Sequence, residues 1–138
     1  FAFYECNNLV YNQYGSGNYL GNETNKYLVL ISYSSTASTF KVSNQTKIIY
    51  TAAFLGCTKL TTVNIPNSVI QICSNAFNGC NSLINVTIPN SVKIIEYDAF
   101  FISSDLTIYC EATMEQNGWA TDWKSSNCNV IWNYKISN

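Results

Sequence analysis

The sequence predicts a β-rich α/β repeat, a solenoid of units of about 23 residues with short parallel strands on one face. Three observations support this. Apolar and turn-forming residues recur at steps of 23. Only 11% of the 138 residues are charged, against about 25% in an ordinary soluble domain. In place of charge, the chain carries 19 Asn, 15 Ser and 12 Thr residues, whose side chains favour turns.

Two units of the sequence match closely when one is laid over the other. Residues 53–75 and 76–98 share 12 identical positions, most of them apolar or turn-forming. The Ala-Phe pair that begins each unit returns at Ala99-Phe100, and a degenerate half repeat covers 40–52. Copies of one supersecondary unit are expected to stack, each identical position lying over its copy.

Each unit is predicted to contain a short strand, a turn and a returning segment. Leu60, Val63 and Ile65 supply the apolar positions of the strand, which Pro66 ends because it has no backbone N–H. Ser74–Cys80 has helical spacing of its apolar residues and is predicted to form one short helical turn.

Stacking predicts ladders of identical side chains, with neighbouring strands about 4.8 Å apart. Burial of one such side chain contributes about 1.5–3 kcal/mol. The predicted ladders are Phe54/Phe77/Phe100, Leu60/Leu83, Val63/Val86 and Ile65/Ile88.

The chain is long enough for one domain with a real core, and we divide this single domain into six parts. These are 1–9, the end of a repeat; 10–39, an insertion with a β-hairpin; 40–52, the degenerate repeat; 53–75 and 76–98, the full repeats; and 99–138, the terminal repeat and cap.

The insertion and the cap each carry a specific structural prediction. In the insertion, strand-like Tyr19–Gly21 and Tyr27–Ile31 predict a hairpin that protrudes from the solenoid edge or extends it. In the cap, a helix within 111–124 would place Trp119 and Trp123 on one face, where they would close the core. Val130–Trp132 then follows as a last strand beside Thr107–Cys110.

The missing residue types exclude several classes of function. Without His there is no Ser-His-Asp triad, no Cys-His pair and no imidazole metal ligand. Without Arg, and with seven scattered Lys, no phosphate clamp or basic patch for nucleic acid forms. Glu96 and Asp98 are the only closely spaced acids, and a solvated turn explains them. We predict no enzyme, no cofactor, no metal site and no membrane insertion, since no apolar run of about 18 residues exists.

Five of the six cysteines fall into two groups, and the sixth, Cys73, follows Ile72 and is expected to pack locally. Cys6, Cys57 and Cys80 occupy one position of the repeat, which predicts buried thiols that act as small apolar side chains. Cys110 and Cys128 both lie in the tail, where the sequence allows either a disulfide or two free thiols.

The string AFxGCxxLxxVxIPNSVxxI within 53–100 resembles the BspA-like leucine-rich repeat of surface proteins in host-associated bacteria and some protists. The resemblance implies a leucine-rich-repeat solenoid, here the C-terminal part of a repeat array. It also implies an extracellular or cell-surface binding protein, since some members are adhesins for host matrix proteins or other bacteria. It supplies no catalytic residues.

The outward strand positions are the candidate ligand-binding residues, because they line the concave face of such a stack. They are Thr39, Lys41, Thr62, Asn64, Asn85, Thr87, Thr107 and Tyr109. We expect a non-enzymatic extracellular module for protein interaction or adhesion to host or bacterial surface ligands. The alternatives are a glycan-binding module that uses Trp and Tyr side chains, and a structural spacer that presents another domain. The same hydroxyl and amide groups also suit a simply solvated sheet.

Overall fold

The computed structural model describes residues 9–136, which form twelve strands joined by turns. The strands are β1 (Asn12–Tyr14), β2 (Gly17–Leu20), β3 (Val29–Tyr33), β4 (Thr39–Lys41), β5 (Ile48–Ile49), β6 (Thr62–Asn64), β7 (Gln71–Ile72), β8 (Asn85–Ile88), β9 (Ile94–Ile95), β10 (Thr107–Cys110), β11 (Gly118–Trp119) and β12 (Asn129–Ile131). Within the described range there is no helix that could cross a membrane. The predicted end of a repeat at 1–9 lies almost wholly outside these residues.

The strands form two sheets that run along the solenoid. The five-stranded sheet has the order β12-β10-β8-β6-β4 and is parallel throughout. The seven-stranded sheet has the order β1-β2-β3-β5-β7-β9-β11 and is parallel from β3 onward. The predicted solenoid of parallel strands is therefore confirmed. The second sheet corresponds to the returning segments, which the sequence did not identify as strands.

An aromatic ladder forms the centre of the core. The Phe54 and Phe77 rings stack at 4.7 Å and 9°, and the Phe77 and Phe100 rings at 4.9 Å and 7°. Tyr33 extends the stack at 5.4 Å from Phe54, and Trp123 meets the other end edge-on at 5.9 Å from Phe100. All five rings are buried, so the predicted ladder is confirmed and is longer than the repeat suggested.

The aliphatic ladders are confirmed as well, since every predicted member is buried between the two sheets. These members are Leu60, Leu83, Val63, Val86, Ile65 and Ile88. The core therefore consists of the repeated apolar positions, which face one another across the coil.

The prediction of a helical turn at Ser74–Cys80 is wrong. Alternate N–H groups of this segment donate to the next coil, as Phe77 N does to Ala99 O at 2.8 Å and Gly79 N to Phe101 O at 3.0 Å. An α-helix would direct these donors to carbonyls of its own segment. The bonds between coils replace the helix and lock neighbouring units together.

Positive φ angles at repeated positions shape these turns. Ala52, Asn75 and Asp98 lie 23 residues apart and have φ of 57°, 58° and 53°. Gly56 and Gly79 follow with φ of 68° and 75°. Two left-handed residues in each of the turns at 52–56 and 75–79 interrupt any right-handed helix, so the apolar spacing serves stacking between coils instead.

The insertion extends the seven-stranded sheet. The predicted hairpin is confirmed as β2 and β3, which pair antiparallel with Leu20 opposite Val29. Strand β3 then pairs in parallel with β5, with Leu30 opposite Ile49. The sequence did not predict β1, whose residues Asn12–Tyr14 are mostly polar and pair only with β2.

The cap contains no helix, so the prediction over 111–124 is wrong. Gly118–Trp119 forms strand β11, which pairs with β9. This close pairing requires glycine at 118, because a Cβ there would lie 2.3 Å from the Lys93 carbonyl oxygen. Trp119 and Trp123 nevertheless meet at 5.1 Å and close the end of the core, as expected. The last strand is confirmed as β12, which pairs with β10.

Candidate functional site

The eight predicted binding residues lie on the outward side of β4, β6, β8 and β10, which we call the five-stranded face. Strand pairing arranges them in two rows. The first row consists of Thr39, Thr62, Asn85 and Thr107. The second consists of Lys41, Asn64, Thr87 and Tyr109. Their strand neighbours Phe40, Val63, Val86 and Ile108 point into the core. Alternation along the strand therefore brings all eight residues together on one face.

Exposure varies across this face. Thr87, Thr107 and Tyr109 are half-buried. The other five residues are exposed: Thr39, Lys41, Thr62, Asn64 and Asn85. The cause at Tyr109 is the C-terminal segment, where the Tyr134 ring lies 4.6 Å from the Tyr109 ring. Tyr134 N donates to Cys110 O at 2.9 Å and fixes this contact. The segment after β12 carries no repeat, so sequence reasoning did not include it in the face.

A cavity of about 200 Å³ lies on the five-stranded face between β6 and β8. Its lining residues are Thr62, Val63, Asn64, Ile65, Asn67, Asn85, Thr87, Pro89, Glu111 and Ile136. Four of the eight predicted residues thus converge on one cavity. Glu111, Asn67 and Ile136 are additional lining residues that the strand pattern could not reveal.

The polar groups of this cavity are hydroxyls, amides and one carboxylate. Glu111 accepts a hydrogen bond from Asn90 N at 2.9 Å, which holds its carboxylate at the edge of the cavity. Lys41 lies on the neighbouring strand β4, opposite Asn64 of the cavity, and is exposed. Such a surface can exchange hydrogen bonds with a polar partner. Within residues 9–136, no three His, Cys, Asp or Glu side chains converge as metal ligands.

Comparison with protein families identifies a repeat family. The sequence model for the BspA type leucine-rich repeat region matches six copies over residues 30–120, about two thirds of the chain. The chain belongs to the BspA-type leucine-rich repeat family. Neither the curated proteins nor the solved structures contain a match.

Trp119 and Trp123 of this BspA-type chain do not form a carbohydrate platform at the end of the array. Trp119 is 7% exposed and Trp123 is 0% exposed, and both rings are packed in the core. A sugar cannot stack on either ring, so the pair serves the cap, as the sequence favoured.

A second cavity of about 370 Å³ lies outside the seven-stranded sheet and was not predicted. Its walls are Leu20, Val29, Ile31, Ile48, Tyr50, Thr51, Gln71, Cys73 and Glu96. The aliphatic side chains of this cavity are Leu20, Val29 and Ile31 from the insertion and Ile48 from β5. Only Glu96 introduces a charge.

The Glu96 carboxylate is structural rather than simply solvated, contrary to the sequence interpretation. Burial opposes its ionisation, but hydrogen bonds from Ser74 and Gln71 outweigh burial, so the pKa of Glu96 is lowered. Ser74 Oγ donates to Oε2 at 2.7 Å, Ser74 N to Oε2 at 2.9 Å, and Gln71 Nε2 to Oε1 at 2.9 Å. The carboxylate therefore links the β7 coil to the β9 coil.

We expect Glu96 to make stability depend on pH in the acid range. Its folded-state pKa lies below the ordinary value of 4.5, so its contribution is present above that value and is lost as pH falls through the lowered pKa. Urea unfolding at several pH values should show a smaller loss of stability on acidification for Glu96→Gln than for the parent. Glu23→Gln, at an exposed residue, is the control. Equal acid dependence of the parent and Glu96→Gln would contradict the assignment.

The tail cysteines are free thiols in the structure. Asn129 pairs with Thr107, so Cys128 lies beside residue 106 and four residues from Cys110 along the strand, about 13 Å. A disulfide needs Cα atoms within about 7 Å. Cys80 is buried as predicted, Cys57 is only half-buried, and Cys6 lies outside the described residues.

Proposed function

We propose that this chain is a non-enzymatic extracellular binding module that docks a protein partner on the five-stranded face and so serves adhesion to host or bacterial surface ligands. Family membership supports a repeat protein of the kind often found at surfaces and engaged in binding. The proposal on the partner and its docking place rests on the geometry of the face itself.

The observation that carries the proposal is the convergence of repeated polar positions on one cavity. Thr62, Asn64, Asn85 and Thr87 lie in register on β6 and β8 and line the same cavity of about 200 Å³. Hydroxyl and amide groups at this spacing can pair with the backbone and polar side chains of a partner. The cavity provides a place where a partner side chain can be desolvated, as interface anchors require.

A protein partner suits the face better than the two alternatives. A glycan module that stacks sugars on the cap tryptophans or on the five-stranded face would need exposed rings there, but Trp119 and Trp123 are buried and the Tyr109 ring contacts Tyr134. A spacer would need no cavity on its strand face. A glycan array and a panel of purified extracellular-matrix proteins separate the three. Glycan binding without matrix-protein binding would favour the first alternative, and no binding to either would favour the spacer.

The double variant Asn64→Glu/Asn85→Glu should weaken binding of a matrix-protein ligand by about tenfold or more, as loss of an interface hot spot does. Both residues are exposed on adjacent strands, so the added charges disturb the docking surface rather than the core. Surface plasmon resonance on the captured ligand measures the change.

The control for this experiment is Asn44→Glu/Asn117→Glu, which adds the same charge at exposed residues outside the eight positions. It should bind as the parent does. Equal weakening by both variants would indicate a general charge effect, and unchanged binding of Asn64→Glu/Asn85→Glu would place the partner elsewhere.

A further inference from the structure

Two cysteines of neighbouring repeats lie in turns that are bonded to each other between consecutive coils. Cys57 and Cys80 occupy the same position of consecutive units. Position 103 of the next unit is Ser, so this position carries a thiol in only these two of the three units from 53 onward. The binding function proposed above uses neither thiol.

Hydrogen bonds place the Cys80 sulfur inside the turn of Cys57. The Cys80 thiol donates to Phe54 O at 3.0 Å, and the same carbonyl accepts Cys57 N at 3.1 Å. The Cys57 side chain and backbone also lie near enough to the Cys80 sulfur to shift the pKa of its thiol. The Cys80 thiol and the Cys57 backbone N–H therefore donate to the same carbonyl, although they belong to consecutive coils.

The backbones at this point are close enough for a disulfide. Gly56 N donates to Asn78 O at 2.8 Å, so the residue before Cys57 is bonded directly to the residue two positions before Cys80. A Cβ at Gly79 would lie 3.5 Å from the Gly56 Cα. Neighbouring hydrogen-bonded segments lie about 4.8 Å apart. This separation is within the range of about 4.4–6.8 Å between the Cα atoms of two cysteines in a disulfide.

We propose that Cys57 and Cys80 are a modification site, a dithiol pair that a small disulfide oxidant converts into a cross-link between consecutive coils. Cys57 is half-buried in a turn with exposed neighbours, Gly56 and Thr58, so an oxidant can reach it. Cys80 is fully buried and can react only with a sulfur already inside the turn.

The chemistry proceeds in two exchange steps. The Cys57 thiolate attacks one sulfur of oxidised glutathione, which breaks its S–S bond, forms a mixed disulfide and releases one glutathione thiolate. Cys80 then loses its proton and attacks the Cys57 sulfur, which releases the second glutathione. In sum, two protein thiols lose two protons and two electrons, and one oxidised glutathione becomes two reduced ones.

The environment of each thiol suits its part in this sequence. The contact with the Cys80 thiol lowers the pKa of Cys57, which favours the attacking thiolate. The same contact, together with burial, raises the pKa of Cys80 and keeps it protonated. Once Cys57 is in a mixed disulfide, its negative charge is gone and no longer opposes ionisation of Cys80. Burial raises the pKa of Cys73 to about 11 and of Cys110 to about 12, so these thiols are internal comparisons.

Oxidised glutathione, applied to the full chain in a Cys6→Ser background, tests the proposal. We expect intact mass under non-reducing conditions to fall by two hydrogen atoms and peptide mapping to join Cys57 to Cys80. The oxidised protein should melt several degrees higher, because the cross-link restricts the unfolded chain. An unchanged mass, a lasting glutathione adduct, or a bridge to another cysteine would overturn the proposal.

Two single variants test the order of attack. With Cys80→Ser, we expect a stable glutathione adduct at Cys57, because no resolving thiol remains. With Cys57→Ser, we expect Cys80 to stay unmodified, because it is buried. An adduct on Cys80 at the rate seen for Cys57 would contradict the assignment of Cys57 as the attacking thiol. Both variants are conservative, and their melting curves report whether they fold.

Discussion

The substitution Phe77→Ala should lower the free energy of unfolding by about 3–5 kcal/mol and abolish cooperative thermal unfolding. Phe77 is the middle ring of the aromatic ladder, stacked on Phe54 at 4.7 Å and on Phe100 at 4.9 Å, and it is fully buried. Its removal leaves a cavity that two repeats share. Total stabilities are about 5–15 kcal/mol, so a loss of this size affects the whole array.

Phe101→Ala is the matched control, because the same side chain is lost at a residue that is 56% exposed. It should shift the melting midpoint only slightly. Circular dichroism and calorimetry on both variants give the comparison. A Phe77→Ala midpoint within a few degrees of the parent would show that the ladder is not the main source of stability.

The period alone was sufficient to predict the repeated part of the core. Identical residues 23 apart can bury together only if the units stack in register, and this fixes which strands are parallel and which side chains meet. Leu60 over Leu83 and Phe54 over Phe77 follow from that reasoning and are found in the structure. Strand alternation then placed the eight outward residues on one face without further information.

Parts of the fold without repeated or alternating sequence were missed. The strands Ile48–Ile49, Gln71–Ile72 and Ile94–Ile95 have two residues each, too few for alternation to be visible. The turn at Ser74–Cys80 has helical spacing, but its conformation depends on donors that bond to the next coil, and no single-unit pattern reports such bonds. Local propensity was overridden by stacking.

In the candidate site too, residues at repeated positions were predicted and residues from segments without a repeat were not. The rows through Asn64 and Asn85 follow from the strands, but Tyr134 and Ile136 reach the face from a segment with no repeat. Glu111 likewise lies beyond the end of β10 and lines the cavity only because the coils stack closely. Contacts across coils between unlike residues are set by packing, so the sequence alone could not supply them.

The last ring of the ladder, Trp123, should contribute as much to stability as Phe77 does. It is 0% exposed, meets Phe100 edge-on at 5.9 Å and Trp119 at 5.1 Å, and its Nε1 donates to Glu115 at 2.9 Å. Trp123→Ala should cost about 3–5 kcal/mol in unfolding free energy. It should also uncover the Phe100 end of the core and cause self-association, since a repeat array needs a closed end for solubility.

Trp123→Phe separates the closing ring from the indole hydrogen bond. It keeps an aromatic ring over Phe100 but loses the donor to Glu115, which is exposed and can bond to water instead. We therefore expect it to remain monomeric and to lose only part of the stability that Trp123→Ala loses. Melting curves and sedimentation at several concentrations test both variants. If Trp123→Ala stays as stable and monomeric as the parent, the ladder does not need this cap, and closure of the core must come from another part of the terminal coil.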